Sequence, residues 1–295
     1  MKKYVKTTER PFEGHEFKKS LGQNFLRDTN LLAGIVRDSG VSADDIVVEV
    51  GAGAGTLTEQ ITKVARVVVS FEVDRSLEEI LRNKESENEN LKIVFRDALK
   101  TPDDEICGEI SDFLLKIGQN SEFSTYKVVA NIPYYITTPL IFKFLKSDRV
   151  SSITIMVQKE VAERVVSKAS TGEYGALSVM VNYYGKATIK RIVDKSMFYP
   201  SPKVDSAILR IDKDENRDVR IGDALAEVVK SAFSARRKML ANNLSEEFGI
   251  SKDCFHKLFE EMGLKSTVRA EELSVEQFIQ LSKKIENLRQ IKTNV

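Results

Sequence analysis

Five short runs rich in valine and isoleucine, each followed by residues of helical character, constrain this chain more than any other feature. IVVEV (46–50), RVVVSFEV (66–73), LKIVF (91–95), KVVANI (127–132) and SITIMV (152–157) read as strands. Strands alternating with helical segments build a mostly parallel sheet with helices on both faces. Three more runs, ALSVMVNYY (176–184), ATIKRIV (187–193) and DSAILRI (205–211), follow without long helices between them. They predict an antiparallel end to the sheet, giving an α/β fold of Rossmann-like type with a mixed sheet of about seven strands. Ser76 with Glu79 has the spacing of a capping box and predicts a helix start just after the second strand.

The pattern changes after DKDENRD (212–218), a charged run with no apolar residue that reads as a linker. Beyond it, ALAEVVKSAFSARRKMLANNLSEEF carries apolar residues at helical spacing, and Ser274 with Gln277 forms another capping-box pattern. The expected organisation is one domain over 1–212 with an N-terminal arm, a linker near 212–218, and a small helical domain over 219–295. The length of 295 residues fits two such units.

Composition excludes several classes of function. No stretch has the run of ~18 apolar residues needed to cross a bilayer, and the basic N-terminus lacks a signal peptide's apolar core. A cytoplasmic location without a membrane partner is therefore expected. The two cysteines, Cys107 and Cys254, and the two histidines, His15 and His256, lack metal-ligand spacing. No metal is expected, and any catalysis should avoid histidine chemistry. The net charge of +1 hides an asymmetry: residues 1–40 sum to +3, residues 41–125 to −9 and residues 126–295 to +7. A nucleic acid would therefore meet local basic patches rather than a uniform field.

EVGAGAGTLT (49–58) stands at the carboxyl end of the first strand, where open α/β sheets bind ligands. Gly51, Gly53 and Gly55 give G-x-G-x-G, while Thr56 occupies the position where a dinucleotide fingerprint has its third glycine. Glu72 follows Gly51 by 21 residues and ends the second strand, where a carboxylate can accept from ribose hydroxyls. Asp97 stands just past the third strand as an acceptor for an adenine amine. A glycine loop, a ribose acid and an adenine acceptor suit a nucleoside cofactor without a pyrophosphate, such as S-adenosylmethionine.

NIPYY (131–135) ends the fourth strand and fits methylation of a planar exocyclic amine, whose lone pair is delocalised into its ring. Acceptors at the Asn131 side chain and the Ile132 carbonyl would take the amine hydrogens, pyramidalise the nitrogen and stabilise its developing positive charge. Pro133 has no N–H and holds the turn, while Tyr134 offers a face for an extruded base.

With LGQNFL (21–26), FYPSPKVDS (198–206) and FSARRKMLANNL (233–244), these motifs give a set in a fixed order. The set resembles the small-subunit ribosomal RNA adenine dimethyltransferase family over nearly the whole chain. The resemblance implies a class I methyltransferase that takes methyl groups from S-adenosylmethionine and dimethylates two adjacent adenosines near the 3′ end of small-subunit (16S) rRNA. It also implies that Asn24 and Leu26 line the cofactor pocket beside Gly51, Gly53, Glu72, Asp97 and Asn131. Phe198 would form a second aromatic wall opposite Tyr134. Lys203, Arg236, Arg237 and Lys238 would meet RNA phosphates, the last three from a C-terminal helix. The implied partner is the small ribosomal subunit, met by a monomer. Ala52 and Met239 depart from the family's frequent proline and threonine without removing a hydrogen-bonding group from the proposed pocket. The related large-subunit methylase of macrolide resistance shares the QNFL, glycine-loop and NIPY elements, but FYPSPKVDS and RRKMLANNL favour the small-subunit family. An RNA-binding assembly factor is the alternative from a different class. The acidic stretch between Asp97 and Lys127 has no assigned role at this level.

Overall fold

The central sheet is built from β2 (Ile46–Val50), β3 (Val67–Phe71), β4 (Leu91–Val94), β5 (Tyr126–Ala130), β6 (Val150–Gln158), β7 (Gly185–Val193) and β9 (Ser206–Lys213). These seven strands lie in the order β4-β3-β2-β5-β6-β9-β7. The computed structural model describes residues 25–26, 28–235 and 237–293. Asn24 and Arg236 lie outside the described residues. From β4 to β6 every pairing is parallel, and β9 then pairs antiparallel with both β6 and β7. The antiparallel end predicted from the sequence is therefore present. The strand runs are mostly apolar because both faces are covered. Ile46, Val48 and Val50 face one apolar cluster, and Val47 faces the other together with Val68, Val129 and Met156.

The chain lays β3 and β4 to one side of β2 and then crosses to place β5 on the other. The carboxyl ends of β2 and β5 thus diverge at a topological switch point, where an open parallel sheet leaves a crevice. The crossover uses α4 (Asp103–Lys116), which buries Ile106, Ile110, Phe113 and Leu114 against the sheet. Asp103, Asp104 and Glu105 occupy its first turn, where the helix dipole favours acids. The acidic stretch before Lys127 is therefore mainly a crossover helix.

Three expectations are corrected. ALSVMVNYY is not a strand but α7 (Ala176–Tyr184), with six of its nine residues buried. A short run that is apolar on all sides fits a buried helix as well as a buried strand, and periodicity alone does not separate them. The helix runs directly into β7 through Gly185, where a Cβ would stand 2.2 Å from the Asp212 carbonyl oxygen. The helix after β3 is opened by Asp74 rather than by a Ser76–Glu79 box. The Asp74 carboxylate accepts from the Ser76 N–H and the Ser76 hydroxyl and starts a 3-10 turn ahead of α3 (Glu78–Glu87). The 212–218 run begins as the end of β9 and continues under firm restraint. Arg217 keeps only 7% of its side chain exposed, bonds Asp148 at 2.6 Å and lies over the Tyr184 ring. The Tyr183 hydroxyl donates to the Asp218 carbonyl. A guanidinium can be buried against an aromatic face and a carboxylate, so Arg217 is anchored while Asp214, Glu215 and Asn216 before it stay exposed.

The C-terminal residues form α8 (Gly222–Ala232), α9 (Leu240–Phe248), α10 (Lys252–Glu261) and α11 (Val275–Thr293). The continuous helical pattern expected across 233–239 is broken there by a turn. Asn243, buried on α9, donates to the Ala232 carbonyl at the end of α8 and to the Ala235 carbonyl in the turn beyond it. The Ser274–Gln277 capping box is present at the start of α11, with reciprocal bonds of 2.9 and 3.2 Å. Among the described residues, no helix is long and apolar enough to cross a membrane.

Candidate active site

The glycine loop leaves β2 with its amides turned back on the next strand. Gly51 and Ala52 donate to the Phe71 carbonyl, Gly53 donates to Glu72 Oε2 at 2.8 Å, and Gly55 opens α2 (Thr56–Thr62). Gly51 and Gly53 have φ of +80° and +55°, a region that residues with a Cβ rarely enter. At Gly51 space is lacking as well. A Cβ there would stand 2.8 Å from Ile132 Cγ2 and 3.5 Å from the Asn131 carbonyl oxygen. The glycine loop and the NIPYY turn are therefore in direct contact.

Glu72 is buried just past β3. Its Oε1 accepts from the Val73 and Asp74 amides and its Oε2 from Gly53, so one carboxylate ties the strand exit to the glycine loop. Asp97, beyond β4, accepts from the Leu99 amide and lies 3.7 Å from the Lys100 ammonium. Asn131 follows β5. Pro133 then begins α5 (Tyr134–Lys146), its carbonyl accepting from the Ile136 amide. The Tyr134 hydroxyl shares a 2.6 Å hydrogen bond with Ser206 Oγ on β9, and burial pushes the phenol's pKa up.

The fourth side comes from two distant segments. β1 (Phe25–Leu26) pairs antiparallel with β8 (Phe198–Tyr199), setting Leu26 opposite Phe198. Both residues are buried and both line the cleft.

These segments enclose a cleft of about 1070 Å³, open mouth included. It brings together Leu26, Gly51, Gly53, Glu72 and Asp97 from the residues expected to hold a cofactor. Asn131, Pro133, Tyr134 and Phe198 line the same cleft. Lys203, Arg237 and Lys238 do not line it. Lys203 is exposed in the loop before β9. Arg237 and Lys238 are exposed in the turn between α8 and α9 rather than on a helix, and Lys238 lies 3.5 Å from Glu246. Sequence reasoning missed Ser206 as the partner of Tyr134. Only the strand order brings residues 134 and 206 together, so no local signal could have found it. Tyr135, quoted in NIPYY without a role, also lines the cleft.

Glu49, beneath the glycine loop, is fully buried. Its Oε2 accepts from the Thr58 and Ser70 hydroxyls at 2.6 Å each, and its Oε1 has no hydrogen-bond partner among the described residues. Burial pushes its pKa up to about 7, with the Glu72 charge adding to the rise and the two hydroxyls opposing it. A carboxyl with a higher pKa folded than unfolded contributes stability in its protonated form. That contribution is full below pH ~4.5 and is lost as pH rises through about 7, for a total of about 3 kcal/mol. Denaturant unfolding at pH 5 and pH 8 should show a steeper loss in the wild-type protein than in Glu49→Gln. Equal slopes would mean that Glu49 is ionised throughout.

Comparison with known proteins gives a consistent result. Residues 14–287 match the Ribosomal RNA adenine dimethylase family. The chain is 40% identical over 272 residues to Ribosomal RNA small subunit methyltransferase A of Clostridium acetobutylicum, covering 91% of this chain and 94% of that one. It is 41% identical over 268 residues to the protein of the same name from Caldanaerobacter subterraneus subsp. tengcongensis, covering 90% and 96%. A dimethyladenosine transferase from Plasmodium falciparum shares the fold with a TM-score of 0.73 at 24% identity, covering 89% of this chain and 98% of that one. The 23S rRNA methyltransferase ErmE gives 0.65 at 25%, covering 89% and 100%.

Proposed function

Because the chain belongs to the ribosomal RNA adenine dimethylase family, we propose that it uses S-adenosylmethionine to dimethylate two adjacent adenosines near the 3′ end of small-subunit (16S) rRNA. The observation that carries this reading is a single cleft at the switch point, lined at once by Gly51, Glu72, Asn131, Tyr134 and Phe198. The close packing of Gly51 on Ile132 joins the glycine loop to the NIPYY turn and so sets the two proposed halves of the site, cofactor and target amine, side by side.

S-adenosylmethionine supplies an electrophilic methyl group on a sulfonium. Glu72 is the acceptor for its ribose. A carboxylate offers about four lone-pair sites, and backbone amides occupy three of them here, so a diol takes the fourth and shares or displaces the Gly53 amide. Asp97 accepts from the adenine amine, and Leu26 covers the cofactor's apolar side. Asn131 and the Ile132 carbonyl accept the hydrogens of the target amine and free its lone pair. As the new N–C bond forms and the S–C bond breaks, these same oxygens stabilise the positive nitrogen until its proton leaves to solvent. Tyr134 and Phe198 hold the flipped base between them.

Residues 219–295 act as the RNA-binding unit in this reading, and the enzyme works as a cytoplasmic monomer on the small ribosomal subunit. Lys203, Arg237 and Lys238 contact phosphates. Replacing Arg237 and Lys238 with glutamine should lower the slope of log affinity against log salt by about one for each phosphate that is no longer neutralised. An unchanged slope would remove this turn from the interface.

The test of the whole reading is transfer of labelled methyl from S-adenosylmethionine to under-methylated small subunits, with large subunits alongside, followed by nucleoside chromatography. Dimethyladenosine from the small subunit alone is expected. Label confined to large-subunit RNA would reassign the substrate, and no label with intact subunit binding would leave an assembly factor.

A further inference from the structure

The first turn of α5 carries two consecutive tyrosines that the fold treats in opposite ways. Tyr134 is half-buried, with its hydroxyl held by Ser206. Tyr135 lines the same cleft but leaves 68% of its surface exposed, and no described residue takes its hydroxyl. Val73, next to Glu72, also lines the cleft and is 56% exposed. Single exposed apolar residues are ordinary on a protein surface. What distinguishes Tyr135 is its place on the rim of a cleft, one residue from a proposed wall of that cleft.

Successive residues on a helix point about 100° apart. A ring at 135 therefore cannot join Tyr134 against the same base, and it faces outward at the mouth. A base that enters such a cleft must leave its stack, which uncovers the face of its neighbour in the RNA strand. Aromatic side chains are the usual platform for unstacked bases in single-stranded RNA.

We propose that Tyr135 is a stacking platform for the base that flanks the target adenosine, holding the neighbouring nucleotide at the rim while its partner is in the cleft. This inference rests on the methyltransferase reading above. With one adenosine of a pair in the cleft the base on the platform is the other adenosine, and with the second in the cleft it is the nucleotide beyond the pair, so Tyr135 contributes to recognition of the flanking strand rather than of a single base.

Steady-state methylation of under-methylated small subunits by Tyr135→Ala and Tyr135→Phe tests this directly. The alanine variant should raise KM for the RNA by about tenfold or more, with kcat, S-adenosylmethionine affinity and the melting temperature unchanged. Tyr135→Phe keeps the ring and should restore KM. A wild-type KM in the alanine variant would overturn the proposal. So would a phenylalanine variant as impaired as the alanine one, because the contact would then be a hydrogen bond from the hydroxyl. Failure of the underlying reading looks different: the wild-type enzyme would leave small subunits unlabelled. If it labels large-subunit RNA instead, the same KM comparison is made on that RNA, and absence of label on any RNA overturns both readings.

Discussion

Asn131→Ala is expected to lower kcat for methyl transfer by about 10²–10³-fold, the usual scale for removing one preorganised polar group from a developing charge. The side-chain oxygen at 131 is proposed to act on the reacting amine itself, so its loss should fall on kcat more than on KM. Asn131 leaves β5 between the glycine loop and α5, held by backbone packing against Gly51 rather than by its own side chain. The variant should therefore keep its melting temperature and its affinity for the small subunit. Single-turnover methylation with saturating S-adenosylmethionine, beside a subunit-binding assay, separates the two effects. A fall in binding that matches the fall in rate would assign Asn131 to positioning the RNA instead.

Gly51→Ala should disturb both stability and the cofactor site. The left-handed backbone at +80° costs a residue with a Cβ about 1–2 kcal/mol. The added methyl would also meet Ile132 at 2.8 Å, and overpacking of that kind typically costs about 1–3 kcal/mol more. Relief has to come from moving Ile132, which is chain-adjacent to Asn131, so the strain reaches the NIPYY turn. Denaturant unfolding should show a loss of about 2–5 kcal/mol, and calorimetry a weaker affinity for S-adenosylmethionine. Wild-type stability in this variant would mean that the two loops separate more easily than their packing implies.

The parts of the fold that are legible in the sequence are those whose cause is local. The strands from β2 to β6 announce themselves because burial on both faces demands runs rich in β-branched residues. The glycine loop and NIPYY are legible because close backbone approach and a rigid acceptor pair need particular residues at fixed spacing. The helix at 176–184 reads as a strand for a physical reason: a short segment buried on most sides carries too weak an amphipathic period to distinguish helix from strand. Arg237 and Lys238 read as helical because their neighbours keep helical spacing, while the break depends on Asn243 reaching the end of α8. The Tyr134–Ser206 bond and the Leu26–Phe198 pairing are out of reach altogether. Both join segments that meet only once the sheet is assembled.

The two-residue ladder between β1 and β8 also bears on how the site comes into being during synthesis. Its partners stand at opposite ends of the sheet-forming sequence, so the loop closed by their contact is among the longest in the molecule. Contacts of such high sequence separation form late, after shorter loops have closed and lowered the entropy that remains to be lost. The glycine loop and Glu72, by contrast, follow neighbouring strands joined by a short connection. Loop entropy thus favours the Gly51–Glu72 side of the cleft forming first. The Leu26–Phe198 side follows only when residues 198–199 have been made and residues 25–26 have met them.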